Sequence, residues 1–375
     1  MTYLQLFLVV TLPLMGLVYA LLGALKLALA QRLSLDEGKV GRLVAGFGMM
    51  VGPTIMACGF LTDALGRKGV FVGGMAAIAV AVFLLARGRT YAAAAAAVLL
   101  LGAGWSGTVN VGNVLMRISV SQENLTRAMN FYDCVFGFGA FATPFVLGLL
   151  LKRLGYAAGV ALLGVLMLVP LALAVFADMG ESGASASSAS LGALFQSRTF
   201  WLAGLAFLFY VPIESSVAGW ATTLVARQGP GGERAASLAL SGFWLAFMGS
   251  RLLVSITGVH GHERPFLLGL ALACVALMLA LVGFRGRVPV AAVVGLCGLV
   301  CGPVFPTLIG VYLTGVDASL LGRAVGFFFA FASIGWTALP AGIGAVARRT
   351  DDIQRGFTVA VASAILFAVF AGFLL

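Results

Sequence analysis

Two carboxylic acids lie inside long apolar stretches of the chain, where ionisable side chains are rare. Asp133 lies near the start of one stretch, and Glu214 lies near the middle of another. Because removal from water disfavours the charged carboxylate, such an acid can take up and release a proton near neutral pH. Glu214 and Asp133 are therefore predicted to be proton-coupling residues. In the structural alternatives, Glu214 is a neutral acid bonded to a neighbouring helix, and Asp133 pairs with Arg117 or Arg127.

Amide and aromatic side chains in the apolar stretches form a second group of candidate functional residues. Asparagine amides donate and accept hydrogen bonds, which suits the hydroxyl groups of a polar organic molecule, and aromatic rings can stack on the same ligand. The alternative for each asparagine is a hydrogen bond between two helices. Further aromatic candidates are Trp105 and Tyr132. The predicted substrate-binding residues of this kind are Asn110, Asn113, Asn130, Tyr210, Trp220 and Trp336.

Lys26 lies towards the far end of the first apolar stretch. Its ammonium group can reach the lipid headgroups while its methylene stem stays in apolar surroundings. Alternatively, the side chain faces an internal cavity, where it attracts an anionic substrate group or pairs with an acid. The second interpretation adds Lys26 to the predicted substrate-binding residues.

The stretch from Gly59 to Gly69 joins two apolar segments by a tight, charged turn. A charge within hydrocarbon costs about 2.5–3.5 kcal/mol even on insertion scales, so the turn must lie at a membrane surface. Asp63 at a helix end can face the positive N-terminus of another helix, and we predict that partner near Gly322. Such a contact forms only when that side of the protein is closed, which biases the conformational equilibrium. The predicted gating motif comprises Gly59, Asp63, Gly66, Arg67 and Lys68.

Twelve apolar segments position these residues. A membrane span needs about 20 residues, and the predicted spans are 4–30, 40–65, 69–87, 91–116, 127–151, 156–177, 198–226, 235–258, 265–284, 288–314, 321–346 and 356–375. A Ser/Ala/Gly-rich stretch follows the sixth span and cannot bury a core, which indicates a flexible linker. The predicted domains are therefore six-helix bundles at 1–177 and 198–375, joined by a cytoplasmic linker at 178–197. Arg251 is predicted to end the eighth span, roughly where Asp63 to Arg67 ends the second.

The composition of the 375-residue chain agrees with a membrane protein. It is 61% hydrophobic and 10% charged, whereas soluble proteins have about 25% charged residues. The net charge of +10 comes from bases scattered at segment ends, which favours anchoring at the membrane interface over nucleic-acid binding. All five cysteines lie in apolar segments, so neither a disulfide framework nor a metal site is predicted. No catalytic motif or phosphate loop occurs, so we predict no enzyme, no cofactor and no nucleotide-driven pump.

The motif G-x-L-x-D-x-x-G-R-K, from Gly59 to Lys68, resembles the signature between the second and third helices of the major facilitator superfamily. Further motifs resemble its fucose and glucose/galactose permease branch, and the resemblance runs from about residue 16 to residue 345. They are Asn130 with Gly139 and Ala140, Tyr210 with Glu214 and Trp220, and Pro303 with Phe305, Pro306 and Thr307. The resemblance implies twelve transmembrane helices in two pseudo-symmetric bundles. It also implies that the motif helps to hold the bundles together on the cytoplasmic side, and that Glu214 handles substrate or protons.

The chain departs from that branch at its proton-handling acids. The resemblance implies one acid in the first helix and one in the fourth, but these positions hold Gly23 and Val109. That proton relay therefore cannot be carried over. In its place the chain offers Lys26, Asp133 and Glu214.

Together these features predict a monomeric secondary transporter of a small polar organic solute: a sugar-like molecule, an organic acid or a chelate. The predicted mechanism is alternating access, coupled to protons, as in a symporter or permease of the inner membrane. The predicted partners are the solute and membrane lipid, with no nucleic acid. One alternative, suggested by the 28 phenylalanines, is proton-driven efflux of drugs or metabolites. A more remote one is a membrane receptor that binds a ligand without moving it.

Both termini are predicted to be cytoplasmic, because the Gly59–Gly69 stretch is cytoplasmic in the family it resembles. The loop charges disagree with this orientation. The outer loops would then carry more Lys and Arg than the inner loops, against the usual tendency of membrane proteins. A basic outer rim would also attract anionic solutes, which adds acidic substrates and metal chelates to the candidates.

Overall fold

The computed structural model describes residues 2–180, 190–228 and 232–375. Within the helices, the side chains of residues 37–38, 221, 232–233 and 336–341 lie outside the description. The side chain of Trp336 is among them, so its predicted substrate contact lies outside the described residues. Most of the predicted linker, residues 181–189, lies outside them as well.

All regular structure in the described ranges is helical. The first seven helices are α1 (Tyr3–Leu33), α2 (Glu37–Leu65), α3 (Arg67–Arg87), α4 (Tyr91–Ile118), α5 (Leu125–Leu166), α6 (Leu168–Phe176) and α7 (Leu191–Gln196). The others are α8 (Arg198–Ala226), α9 (Gly232–Thr257), α10 (Glu263–Gly283), α11 (Arg287–Cys301), α12 (Val304–Leu313), α13 (Leu321–Thr350), α14 (Ile353–Gly356) and α15 (Thr358–Phe373). A short 3-10 helix, Gln122–Asn124, precedes α5.

The helices account for the predicted membrane spans. Ten described segments are long and apolar enough to cross a membrane. One of them, Gln122–Phe176, is 55 residues long and bends at Gly155, whose φ of 75° interrupts the helical backbone. It therefore contains the predicted fifth and sixth spans. The apolar segment Leu321–Gly335 is the described first part of α13 and lies where the eleventh span is predicted. The predicted all-α membrane fold is confirmed.

Side chains near the helix starts bind the free amide groups there. The Thr2 hydroxyl accepts a hydrogen bond from the backbone N–H of Gln5, and the Gln5 side chain accepts one from the backbone N–H of Thr2. Asp36, Thr90 and Ser197 cap α2, α4 and α8 in the same manner. Each cap satisfies donors that the helix itself leaves unpaired. The starts of α1, α2, α4 and α8 therefore follow from local residue types.

The contacts divide the chain into two compact units. Unit 1 comprises Met1–Val120, Val135–Ser190 and Val316–Ala330. Within it, α3 packs closely on α4 at two glycines: a Cβ on Gly104 would lie 2.6 Å from the main-chain oxygen of Gly74. Small residues at helix contacts let backbones approach, and this packing is what holds helices together in lipid.

Unit 2 comprises Ser121–Cys134, Leu191–Gly315 and Phe331–Leu375. Within it, Gly298 and Gly302 bring α11 against the backbone of α9 at Phe243 and Phe247. Two short segments thus belong to a different unit from their chain neighbours, namely 121–134 and 316–330. The division into two six-helix bundles joined by a linker at 178–197 remains a prediction.

Candidate functional site

Within unit 1, Asp63 lies in the last turn of α2 and contacts the first turn of α13. Its Oδ1 accepts a hydrogen bond from the backbone N–H of Gly322 at 3.0 Å. Its Oδ2 accepts from the backbone N–H of Arg323 at 3.0 Å and from Nε of Arg323 at 2.8 Å. The predicted partner near Gly322 is therefore present. A carboxylate at a helix N-terminus is favoured by the unpaired N–H groups and by the helix dipole.

Two further residues of unit 1 hold the same turn of α13. A Cβ on Gly59 would lie 2.5 Å from the main-chain oxygen of Gly322, so only glycine allows this approach. Asn110, fully buried on α4, donates from Nδ2 to that oxygen at 2.9 Å and accepts from the Thr62 hydroxyl at 3.0 Å. In this structure both polar atoms of Asn110 are used within the contact. Its predicted role in substrate binding remains a prediction.

The remaining motif residues shape the turn between α2 and α3. Gly66 has a φ of 93°, which side chains other than glycine rarely tolerate. The buried guanidinium of Arg67 donates to the main-chain oxygens of Met179 and Ala318 at 3.2 and 3.0 Å. Lys68 donates to the main-chain oxygen of Val175 at 2.6 Å. Four residues of the predicted gating motif thus contact neighbouring backbone within unit 1, and the fifth, Gly66, allows the turn.

A second arrangement lies in unit 2, around Glu214 on α8. The hydroxyl oxygen of Tyr210 is 2.7 Å from Oε2 of Glu214 and 2.7 Å from the main-chain oxygen of Cys301. A phenol has one proton to donate, whereas a carbonyl and an ionised carboxylate only accept. Both short contacts are therefore hydrogen bonds only when Glu214 carries a proton and donates it to Tyr210. The geometry matches a neutral Glu214.

Arg251 is a buried charged residue of unit 2 that was not among the predicted site residues. It does not end a span, as predicted, but lies inside α9 with 7% of its surface exposed. Its Nε donates to the main-chain oxygen of Gly302 at 2.7 Å, and its guanidinium carbon lies 4.2 Å from the centre of the Phe247 ring. Arg251 lies more than one helical turn before the end of the apolar stretch, and this position in the sequence could have indicated that its side chain is buried.

Asp133 on α5 faces Arg251. Its Oδ2 lies 3.8 Å from Nη2 of Arg251, and its main-chain oxygen accepts from Nη1 at 3.4 Å. The side-chain pairing proposed for Arg127 is wrong, because Arg127 donates to the main-chain oxygens of Ser255 and Ile256 instead. Within the described residues, Oδ2 of Asp133 accepts no hydrogen bond, although Asp133 is only 8% exposed.

Asn130 lies one turn before Asp133 and is fully buried in unit 2. Its Nδ2 donates to the main-chain oxygen of Thr126 at 2.9 Å and lies 3.4 Å from the Thr307 hydroxyl. Its Oδ1 has no hydrogen-bond partner in the described part of the chain. The structure thus places Asp133, Asn130, Tyr210 and Glu214 in one unit, and it adds Arg251 to them.

Aromatic side chains cluster in unit 1. The ring of Tyr19, which is 44% exposed, stacks on Trp105 with 5.5 Å between centroids. Phe47 and Phe136 flank this pair, at 5.9 Å from Trp105 and from Tyr19 respectively. Nε1 of Trp105 is buried without a hydrogen-bond partner among the described residues. The cluster thus combines one partly exposed aromatic side chain with three neighbouring rings.

The other predicted binding residues are more dispersed. Lys26 is exposed two turns after Tyr19, on the same face of α1. Nδ2 of Asn113 donates to the main-chain oxygen of Val109, and its Oδ1 is unpartnered within the described ranges. Trp220 is half-buried on α8. Over residues 2–180, 190–228 and 232–375, no group of three or more His, Cys, Asp or Glu side chains is arranged to hold a metal ion.

Comparison with known proteins identifies similar sequences and structures. A family model described as Major Facilitator Superfamily matches residues 7–340. The E. coli fucose:proton symporter superposes with a TM-score of 0.85 at 16% identity, covering 99% of this chain and 98% of its own. The human organic anion transporter MFSD10 gives 0.78 at 17%, covering 99% and 98%. A proton:xylose symporter gives 0.79 at 13%, covering 98% and 94%. Comparison with curated protein sequences finds no match.

Proposed function

The chain belongs to the Major Facilitator Superfamily, and from this membership we propose that it carries a small polar organic solute in symport with protons. The family consists of transporters, so the chain is a secondary membrane transporter and not an enzyme. Alternating access fits its fold. Proton coupling, the class of solute and the inner-membrane location with cytoplasmic termini are parts of the proposal.

The observation that carries proton coupling is the position of Tyr210 between two acceptors. The hydroxyl satisfies both Cys301 and Glu214 only while Glu214 is protonated. Loss of that proton leaves one 2.7 Å contact between two acceptors, which is repulsive and favours a rearrangement of the side chains. Uptake and release of a proton at Glu214 therefore couples to local structure, as a proton-driven carrier requires.

Two further features support a proton-coupled carrier of polar solutes. Oδ2 of Asp133 is buried without a hydrogen bond in the described structure, so it is a second place for a proton. The fucose and xylose transporters that superpose on the chain are, by their titles, proton symporters. At 16% and 13% identity, these superpositions show a shared fold alone. The argument for proton coupling therefore rests on the residues of this chain.

For the solute, we propose contacts with the aromatic cluster of unit 1 and with the unpartnered amide oxygens. Tyr19 presents an exposed ring, and rings of this kind stack on the apolar faces of sugar-like molecules. Among the described residues, Asn113 and Asn130 each have one amide oxygen without a hydrogen-bond partner, and such an oxygen can accept a hydrogen bond from a hydroxyl group. Lys26, on the same face of α1 as Tyr19, adds a positive charge.

The contact between Asp63 and α13 is proposed to control the conformational equilibrium. Three hydrogen bonds from α13 end on one carboxylate, and Gly59 and Asn110 bind the same turn. We propose that this contact forms in only one of the two states between which the transporter alternates. Each group in the contact therefore biases the carrier towards the state in which the contact forms.

The test uses purified protein in proteoliposomes. A thermal-shift screen of sugars, organic acids and chelates selects the solute, and uptake is then driven by an inward proton gradient. Glu214→Gln should abolish gradient-driven accumulation but keep exchange of labelled for unlabelled solute. The matched control is Glu123→Gln, an exposed acid in the 3-10 helix, which should accumulate solute normally. Undiminished coupling in Glu214→Gln would refute the role of Glu214, and accumulation only under the reversed gradient would identify an antiporter.

A further inference from the structure

We propose that Arg251 binds the carboxylate of an anionic substrate through its Nη2 edge, in exchange with Asp133. This inference rests on the proposed transport function and specifies the class of its solute. The ligand class is small organic acids, including acids derived from sugars. All the groups that carry the argument lie within unit 2.

The guanidinium of Arg251 is held firmly on most of its sides. Nε donates to the main-chain oxygen of Gly302 at 2.7 Å, and Nη1 faces the main-chain oxygen of Asp133 at 3.4 Å. The ring of Phe247 covers one face of the group. These contacts fix the orientation of the fork, so its remaining edge points in a defined direction before any ligand arrives. A fixed fork loses little entropy when it binds an acid.

The remaining edge of the guanidinium is poorly satisfied. Nη2 lies 3.8 Å from Oδ2 of Asp133, beyond hydrogen-bonding distance. Within the described residues, Oδ2 of Asp133 makes no hydrogen bond, and the contact with Asp133 is the one described for Nη2. A buried ion pair compensates its loss of hydration only when its geometry is good and its remaining groups are hydrogen-bonded. This pair has neither property, so a carboxylate that meets Nη2 directly would be a better partner than Asp133.

The shape of the free edge favours an acid over a neutral polar group. Nη2 carries two N–H donors, and a charge-assisted hydrogen bond from it to a carboxylate oxygen is about twice as strong as a neutral one. A sugar hydroxyl placed against a buried cation leaves its charge uncompensated. The carboxylate class therefore follows from Arg251 itself.

Charge balance links the binding of the anion to a proton. With Glu214 protonated, Arg251 and Asp133 together are neutral. A second carboxylate on Arg251 makes the group negative unless one proton from water binds Oδ2 of Asp133. Besides Arg251 on α9, the titratable groups near Asp133 are Glu214 on α8 and Cys134 on α5. Tyr210 on α8 and Cys301 on α11 lie near Glu214. One proton should therefore enter with each anion.

The experiment measures equilibrium binding to the purified full chain by calorimetry. The probes are acids paired with their neutral amides: D-glucuronate with D-glucuronamide, D-gluconate with D-gluconamide, and L-lactate with L-lactamide. At least one acid should bind while its amide does not. Its affinity should rise as the pH falls, by up to about tenfold per pH unit for one linked proton. Equal binding of an acid and its amide, or no binding of any acid, would overturn the proposal.

Variants separate a binding role from a structural one. Arg251→Gln should weaken acid binding about 10- to 100-fold, as expected for loss of a hydrogen bond to a charged group, and Arg251→Lys should recover part of it. The matched control is Arg127→Gln, which removes another arginine of unit 2 that binds main-chain oxygens. Asp133→Asn should keep acid binding and remove its pH dependence, which no merely structural role predicts.

The outcomes also distinguish this inference from the proposed function. Binding is measured without a gradient, so it can succeed even if proteoliposomes show no proton-driven uptake. Conversely, proton-driven uptake of a neutral solute that is unchanged in Arg251→Gln would refute the role of Arg251 and leave proton symport standing. Should the Arg251 variants fail to fold, the acid–amide comparison and its pH dependence on the unmodified chain still decide the question.

Discussion

The hydroxyl of Tyr210 lies 2.7 Å from the carboxyl oxygen Oε2 of Glu214, one turn away on the same helix. The pair is completed by the main-chain oxygen of Cys301 at the same distance from that hydroxyl. This chain of three oxygens holds two protons when Glu214 is neutral and one when it is ionised. The protonation state of Glu214 is thereby linked to the contact between α8 and α11.

Tyr210→Phe should change proton coupling more than it changes stability. The variant removes the only donor to Cys301 in this chain of oxygens and leaves Glu214 without its partner. The expected loss of stability is about 0.5–1.5 kcal/mol, the net worth of one hydrogen bond. The pH profile of uptake in proteoliposomes should shift. Tyr3→Phe is the control, because Tyr3 also donates to a main-chain oxygen, that of Leu173, and its pH profile should match the unmodified chain.

Asp63→Asn should shift the conformational equilibrium away from the described state. An amide has one acceptor oxygen and one donor nitrogen, so the new side chain could accept either the bond from Gly322 or the two bonds from Arg323, and its N–H groups would face the donors that remain. Cys58, half-buried on α2, should then react faster with a maleimide, as followed by mass spectrometry. Asp317→Asn changes an exposed acid just before α13 and should leave the rate unchanged. Equal labelling rates in both variants would contradict the role of Asp63.

Gly59→Ala should weaken the same contact by steric means. The added Cβ would lie 2.5 Å from the main-chain oxygen of Gly322, so α2 and α13 must move apart. Overpacking of this kind typically costs about 1–3 kcal/mol, and the melting temperature should fall accordingly. Gly69→Ala, in the same stretch, is the control because nothing lies within 4 Å of its Cβ position. A variant of Gly59 as stable as that of Gly69 would count against the close approach.

Asn110→Ala and Asn113→Ala should affect transport in different ways. Asn110 uses both amide atoms in the contact with α13, so its removal should lower stability and the maximal uptake rate with little change in KM. The buried amide oxygen of Asn113 has no partner in the part of the chain that the structure describes, so removal of Asn113 should raise KM instead. Uptake kinetics over a range of solute concentrations separate the two effects. If KM rose in Asn110→Ala but not in Asn113→Ala, the result would contradict this assignment and favour substrate binding by Asn110.

Much of the molecule was predictable from the sequence because it depends on local pattern. Hydropathy defines apolar helices wherever about 20 residues must cross hydrocarbon. The partner of Asp63 near Gly322 was also predictable, since an acid at one helix end requires the positive end of another. Glu214 and Asp133 were recognisable because intramembrane acids are costly and therefore rare. In each case the cost of placing a charge in lipid restricts the structure before any packing is known.

The partners of buried side chains were decided only by tertiary structure. Arg251 resembles an ordinary basic residue near a span end, and only the packing of α9 against α5 and α11 brings it to Asp133 and Gly302. In the sequence, Asn110 is an asparagine in an apolar segment, like the other predicted binding residues. In the structure, Gly59 approaches Gly322, and both amide atoms of Asn110 are used in that helix contact. The physical reason is that hydrogen-bond partners depend on helix rotation and separation to within about 0.5 Å. Packing between segments far apart in the chain sets both quantities, and no local pattern encodes them.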